Sequence, residues 1–299
     1  MTPLAPTVLV FDSGVGGLTV FREIVAARPD ATYAYVADDA GFPYGDMPEV
    51  TLITRVVHII GKAIAEHKPD LVVVACNTAS TLALKHLRAR YPSLPFVGTV
   101  PAIKPACAQS RSKRIAVLGT QATVSREYTR ALIREFASGC DVVLVGSPHL
   151  ASFAEAELAG TPVGDNAIKE EIARCFVDAQ GRRTDTVVLA CTHYPLLIAR
   201  FKAVAPWAVD WLDPALAIAR RVAELLRDRP PRASAAAAPE NRLHLRPRAC
   251  ARTRQGACGL RLLAESCCQS SWLPRRAIIL ADSPISTIDS ASPNTTSTM

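Results

Sequence analysis

Apolar residues along the chain fall into two recurring patterns. TVLVFD (7–12), TYAYVAD (32–38), DLVVVAC (70–76) and LPFVG (94–98) are short, β-rich apolar runs that read as buried strands. A second series follows at RIAVLGT (114–120), DVVLVG (141–146), DTVVLAC (185–191) and AVDWLD (208–213). Between the runs, segments such as 49–67 and 123–137 carry apolar residues at three- and four-residue spacing, the period of an amphipathic helix. Strands alternating with helices predict an α/β fold of parallel sheets flanked by helices.

The two series resemble each other. VLVFDSG (8–14) parallels IAVLGTQ (115–121), and LVVVACNT (71–78) parallels TVVLACTH (186–193). Two similar lobes are expected, residues 1–98 and 99–212, with the helical stretch 213–226 returning to the first. Open parallel sheets bind ligands at the carboxyl ends of their strands, so the active site is expected in the cleft between the lobes. After residue 226 both periods vanish. Residues 227–299 read as an atypical tail, either disordered or the product of a slipped reading frame.

Length and charge add constraints. A chain of 299 residues fits two domains of about 150 each and buries a core without staples. The net charge of +7 is concentrated in the tail, where eleven arginines meet only five acidic residues after position 226. The body is nearly neutral, which argues against a nucleic-acid-binding surface. No apolar run approaches the roughly 18 residues of a membrane helix. The opening MTPLAPTVLVFDSG lacks the basic start of a secretory signal. Of nine cysteines, Cys76 and Cys191 end strands, Cys107, Cys140 and Cys175 are scattered, and Cys250, Cys258, Cys267 and Cys268 lie in the tail. None forms a CxxC pair or a zinc-spaced Cys/His cluster, so no metal is expected and a reducing cytoplasm fits best.

The candidate chemistry sits at strand ends. Cys76 precedes Asn77 and Thr78, and Cys191 precedes Thr192 and His193. A thiol opening onto a helix N-terminus sits in a positive field that lowers its pKa from about 8.5 toward 7. A lone cysteine is more simply a small buried hydrophobe; two at equivalent places point to a shared device. Facing thiols on either side of a small molecule suit proton abstraction from carbon on one face and protonation on the other. FDSGVGG (11–17) offers Gly14, Gly16 and Gly17 for a tight turn and close approach to a ligand, but Thr19 leaves a dinucleotide fingerprint incomplete. Asp12 at the first strand's end either serves the cleft or caps the next helix. DDAGFPYGD (38–46) is a turn built around Pro43 and Gly45 that presents Tyr44.

DSGVGG, DxAxxPYG, ACNTAS, LGTxxT and ACTHYPLL, in this order, resemble the glutamate racemases of the cofactor-independent aspartate/glutamate racemase superfamily, over residues 7–226. The resemblance implies catalytic thiols at Cys76 and Cys191, supported by Asp12 and His193 respectively. It places an assisting carboxylate at Glu155, with Glu157 close enough to compete. Substrate contacts would be Asp12, Ser13, Tyr44, Gly45, Asn77, Thr78, Thr120, Thr123, Thr192 and His193. It implies interconversion of L- and D-glutamate without cofactor, D-glutamate for peptidoglycan, a cytoplasmic enzyme, and compatibility with a homodimer. The departure lies at the C-terminus. Family members complete the first lobe with a further strand and helix, and no such pair is legible in 227–299. The alternatives are a superfamily enzyme acting on aspartate, a hydantoin or maleate, a non-catalytic two-lobed amino-acid-binding protein, and a redox dithiol protein.

Overall fold

The computed structural model describes residues 5–228 and 277–280. In chain order come β1 (Thr7–Asp12), α1 (Leu18–Ala27), β2 (Thr32–Ala37), α2 (Glu49–His67), β3 (Leu71–Val74), α3 (Asn77–Arg90), β4 (Phe96–Gly98) and α4 (Ile103–Gln109). Then follow β5 (Arg114–Thr120), α5 (Gln121–Ser125), α6 (Glu127–Phe136), β6 (Asp141–Ser147), α7 (Leu150–Leu158) and α8 (Asp165–Ile172). A small hairpin of β7 (Asp178–Ala179) and β8 (Arg182–Arg183) precedes β9 (Thr186–Ala190), α9 (Ile198–Val204), β10 (Asp210–Leu212) and α10 (Ala215–Leu225). β11 (Ala277–Leu280) is last.

Two parallel sheets result, ordered β11-β2-β1-β3-β4 and β10-β9-β5-β6. Their central parts correspond. β1 lies between β2 and β3 as β5 lies between β6 and β9, so the strands that lead to Cys76 and Cys191 hold equivalent places. Both faces of each sheet are covered, which is why the strands read as continuous apolar runs. Val8 and Val10 of β1 pack with Phe21 and Ile24 of α1 and with Ala219 and Val222 of α10. Leu9 and Phe11 face the other way, onto Leu52, Val56 and Ile60 of α2 and Leu87 of α3. In the second sheet Leu118 meets Leu150, Ile168 and Phe201, while Val117 meets Ile103 and Ala106. Each such fully buried aliphatic side chain contributes about 1.5–3 kcal/mol.

Three local expectations change. Strand β3 ends at Val74, after which the Ala75 N–H still bonds to Phe11 O (2.8 Å) and Cys76 becomes the N-cap of α3. The single helix expected over 123–137 is two, α5 and α6, parted at Arg126, whose backbone is extended (φ −75°, ψ 145°). Thr129 Oγ1 donates to the Thr123 carbonyl at 2.6 Å and so satisfies an acceptor the break would otherwise orphan. The third change is in the tail. Strand β11 runs parallel to β2, with Ala277 opposite Tyr33 and Leu280 opposite Val36, so a strand that was not legible in 227–299 pairs the outer edge of β2. Four apolar residues are too few to carry a period. The rest of the tail, including Cys250, Cys258, Cys267 and Cys268, lies outside the described residues. Among the described residues, no helix is long and apolar enough to cross a membrane.

Candidate active site

The carboxyl ends of β1, β3, β5 and β9 converge on one cavity lined by both Cys76 and Cys191, together with Ser13, Tyr44, Gly45, Asn77, Thr78, Thr120, Thr192 and His193. Both thiols are free. Asp12, Thr123 and Glu155 stand behind this lining rather than in it.

Asp12 is fully buried. Its Oδ2 accepts the N–H groups of Gly14 (3.2 Å) and Gly17 (3.0 Å), and its Oδ1 accepts the Thr192 hydroxyl (3.1 Å). The carboxylate therefore both shapes the turn before α1 and ties the two sheets together. Burial raises its pKa, opposed by the charge of His193 and by these hydrogen bonds.

The two thiols sit in different fields. Cys76 Sγ accepts the Ala79 N–H at 3.5 Å, as an N-cap should. Yet its pKa is pushed up to about 12, first by burial and then by the Asp12 carboxylate, with Ala79 and Ser13 only partly opposing. The lowering expected from the helix terminus is thus overturned, because desolvation of a buried thiolate outweighs one weak backbone donor. Beside Cys191, His193 Nδ1 lies 3.9 Å from Sγ, and its Nε2 lies 3.3 Å from Glu155 Oε1. Burial alone would lower the imidazole pKa; the bonds to Cys191 and Glu155 outweigh it and lift the value to about 10. At neutral pH His193 is therefore an imidazolium. Glu157 is occupied elsewhere, 2.6 Å from Arg200 Nη1.

The glycine loop serves this arrangement. A Cβ on Gly16 would lie 2.5 Å from His193 Nδ1, and one on Gly14 would lie 3.0 Å from Glu155 Oε1. A Cβ on Gly17 would lie 2.6 Å from both Asp12 Cβ and the Tyr35 hydroxyl. The loop thus makes its close approach to the protein's own Asp12, Glu155 and His193, across the two sheets.

Three hydroxyls cluster at the cavity wall. Thr120 and Thr123 Oγ1 are 2.9 Å apart, and Thr78 Oγ1 lies 3.3 Å from Thr123 and 3.5 Å from Thr120. Asn77 Oδ1 is buried at the cavity without a hydrogen-bond partner, an acceptor that suits an ammonium or hydroxyl donor. Tyr44 lines the cavity with its ring, while its hydroxyl donates to Asp38. The pocket thus sets acceptors and hydroxyls around two thiols.

Residues 13–222 match the model of the Asp/Glu/Hydantoin racemase family. The chain belongs to this racemase family. The Brucella anthropi glutamate racemase is 56% identical over 222 residues, which are 74% of this chain and 80% of that one. The Sinorhizobium medicae glutamate racemase is 56% identical over 225 residues, 75% and 83% of the two chains. The crystal structure of Escherichia coli glutamate racemase, in complex with L-glutamate and the activator UDP-MurNAc-Ala, matches with TM-score 0.77 and 39% identity, over 93% of this chain and 98% of that one. The fold, two parallel sheets with helices on both faces, is that of these racemases.

Several lining residues of this racemase were not singled out from sequence: Phe42, Gln121, Ser147, Pro148 and Ala151, while Pro43 was read only as a turn residue. Ser147 ends β6 and donates to Glu171 Oε2 at 2.5 Å. The strand-end rule that pointed to Cys191 also applies to Ser147 and Pro148, and it was the available signal. Phe42 packs its ring 5.1 Å from that of His193, a contact no local pattern announces.

Proposed function

We propose that the chain is a glutamate racemase that interconverts L- and D-glutamate by a two-base mechanism using Cys76 and Cys191. The observation that carries this reading is the pair of free thiols lining one cavity at equivalent strand ends. Names and identities of the relatives support glutamate as the substrate. One sulfur, as thiolate, takes the α-proton and becomes S–H, and the substrate keeps the electron pair as an enediolate-like carbanion. The opposite S–H then protonates the carbon from the other face and is left as thiolate. The product is the mirror image, and the sulfurs have exchanged roles.

The fields found at the two sulfurs support a starting asymmetry. Cys76, lifted to about 12, is a protonated donor at neutral pH. Beside Cys191 stands His193, its Nδ1 3.9 Å from Sγ and its Nε2 held by Glu155. Asp12 acts on the Cys76 side and binds Thr192. Thr78 and Thr120, held by Thr123 behind them, offer hydroxyl donors to a substrate carboxylate, Asn77 Oδ1 an acceptor to its ammonium, and Ser13, Tyr44, Gly45, Thr192 and His193 complete the binding surface. Holding the reactants in register in a water-poor cleft is worth several kcal/mol. The reading extends to a cytoplasmic enzyme supplying D-glutamate for peptidoglycan, organised as two lobes, residues 1–98 with 213–226 and residues 99–212.

A proton NMR time course of L-glutamate in D₂O with the full chain tests it, together with chiral detection of D-glutamate. Loss of the α-proton signal and appearance of D-glutamate are expected, and Cys76→Ser or Cys191→Ser should each abolish racemisation. A folded chain that binds glutamate without exchange would leave a binding protein instead. A single cysteine variant that racemises near the wild-type rate excludes the two-base scheme.

A further inference from the structure

The wall of the cavity formed by residues 42–45 is held from behind by Asp38 of the DxAxxPYG stretch and by Arg55, which none of the motifs contains. Asp38, just past β2, has a side chain with no solvent exposure. Arg55 of α2 grips it with two nitrogens. Its Nε donates to Oδ2 at 2.5 Å and its Nη2 donates to Oδ1. The Tyr44 hydroxyl donates to the same Oδ2. The turn is folded over this pair, since a Cβ on Gly41 would lie 2.6 Å from Arg55 Nε and 2.8 Å from Asp38 Oδ2. Asp38 is also anchored through its backbone, its N–H bonding to Asp12 O at 3.0 Å.

We propose that Arg55 is a positioning residue for glutamate turnover, acting through Asp38 to hold the Phe42–Gly45 wall and to cancel the buried carboxylate behind it. The proposal rests on the glutamate racemase reading. The fork of the guanidinium matches both carboxylate oxygens, which fixes Asp38 and, through it, Tyr44. Phe42, Pro43, Tyr44 and Gly45 all line the cavity, and Phe42 packs on His193. Without Arg55, the tether of this wall is a neutral hydroxyl bond to a carboxylate that has lost its counter-charge. That uncompensated charge lies behind a site that has to admit a substrate with two carboxylates and a net negative charge. A buried charge whose partner is removed is the costly case, whereas removing both members of the pair is not.

Steady-state racemisation in both directions, with thermal melting, on Arg55→Met, Arg55→Lys, Asp38→Asn and the Arg55→Met/Asp38→Asn double variant tests this. Arg55→Met is expected to raise KM for glutamate roughly tenfold or more, with a smaller change in kcat. The double variant, which removes the orphaned charge but not the lost fork, should fall between Arg55→Met and wild type. Arg55→Lys should keep most of kcat and show a KM between the same limits. A folded Arg55→Met enzyme with wild-type KM overturns the proposal, as does a double variant no better than Arg55→Met. If Arg55→Met does not fold, Arg55→Lys decides, and a wild-type KM there refutes the clamp. A wild-type chain that is folded but silent on glutamate overturns the racemase reading and the proposal with it, whereas active wild type with unaffected variants overturns the clamp alone.

Discussion

Gly16→Ala places a single methyl group where the structure has no room for it. The added Cβ would meet His193 Nδ1 at 2.5 Å, Cγ at 2.7 Å and Cε1 at 2.8 Å. Ordinary contact begins near 3.4 Å, so the ring has to retreat by about 0.9 Å, the difference from 2.5 Å. It has nowhere to go. His193 is 1% exposed, Glu155 Oε1 lies 3.3 Å from Nε2, and the Phe42 ring packs at 5.1 Å. Overpacking of this kind costs about 1–3 kcal/mol, which for a chain of this size lowers Tm by about 2–4 °C per kcal/mol. Activity should suffer more. A displacement of about 1 Å in a group acting on the reacting atoms costs around a hundredfold in rate. The comparison variant is Gly45→Ala, whose Cβ finds its nearest atom, Thr120 Cβ, at 3.8 Å. Gly45→Ala should leave Tm unchanged although Gly45 belongs to an equally recognisable motif. α-Proton exchange in D₂O and thermal melting on the three proteins read both quantities. A Gly16→Ala enzyme with wild-type exchange rate and wild-type Tm would falsify the view that His193 is locked against the loop.

Stability should fall as pH rises through the titration of His193. Its folded pKa, about 10, lies above the ordinary 6.5, so the stabilisation is complete below 6.5 and is lost between 6.5 and about 10. Urea midpoints across that window should decline in wild type and decline less in His193→Gln; parallel curves would refute the assignment. Thr192→Val keeps the shape and deletes the hydroxyl that reaches Asp12 from the other sheet. A hydrogen bond to a buried carboxylate is worth about 1.5–3 kcal/mol, which should appear as a lower urea midpoint with unchanged slope. Ser80 Oγ donates to Val74 O (2.7 Å) and accepts Thr99 N (3.0 Å), joining the exits of β3 and β4. Ser80→Ala should cost about 1–3 kcal/mol by leaving buried backbone groups unpaired, and hydrogen exchange should accelerate at Thr99. Exchange at Thr99 identical to wild type would show that the bridge does not matter.

What could be read along the chain was local. The strands β1, β2, β3, β5 and β9 are legible because a parallel strand buried on both faces is a continuous apolar run. The helix over 123–137 was misjudged because its apolar period continues through Arg126, while the break is stabilised by the Thr129 hydroxyl on the Thr123 carbonyl. Strand β11 was missed because a four-residue run becomes a strand only when an unpaired edge is there to meet it. Glu155 and Glu157 are indistinguishable in sequence. In space, one faces His193 and the other Arg200.

Which residues stand at strand ends, and in what order, is legible along the chain, since strand periodicity and a following small polar residue are properties of sequence neighbours. The sequence therefore disclosed the α/β class, the paired Cys76 and Cys191 segments and the family they resemble. Tertiary structure alone decided what surrounds them: that Gly16 makes room for His193, that Arg55 reaches Asp38, and that burial beside Asp12 lifts the Cys76 thiol instead of lowering it. These are effects of distance and desolvation between residues far apart in the chain, and no local pattern encodes either.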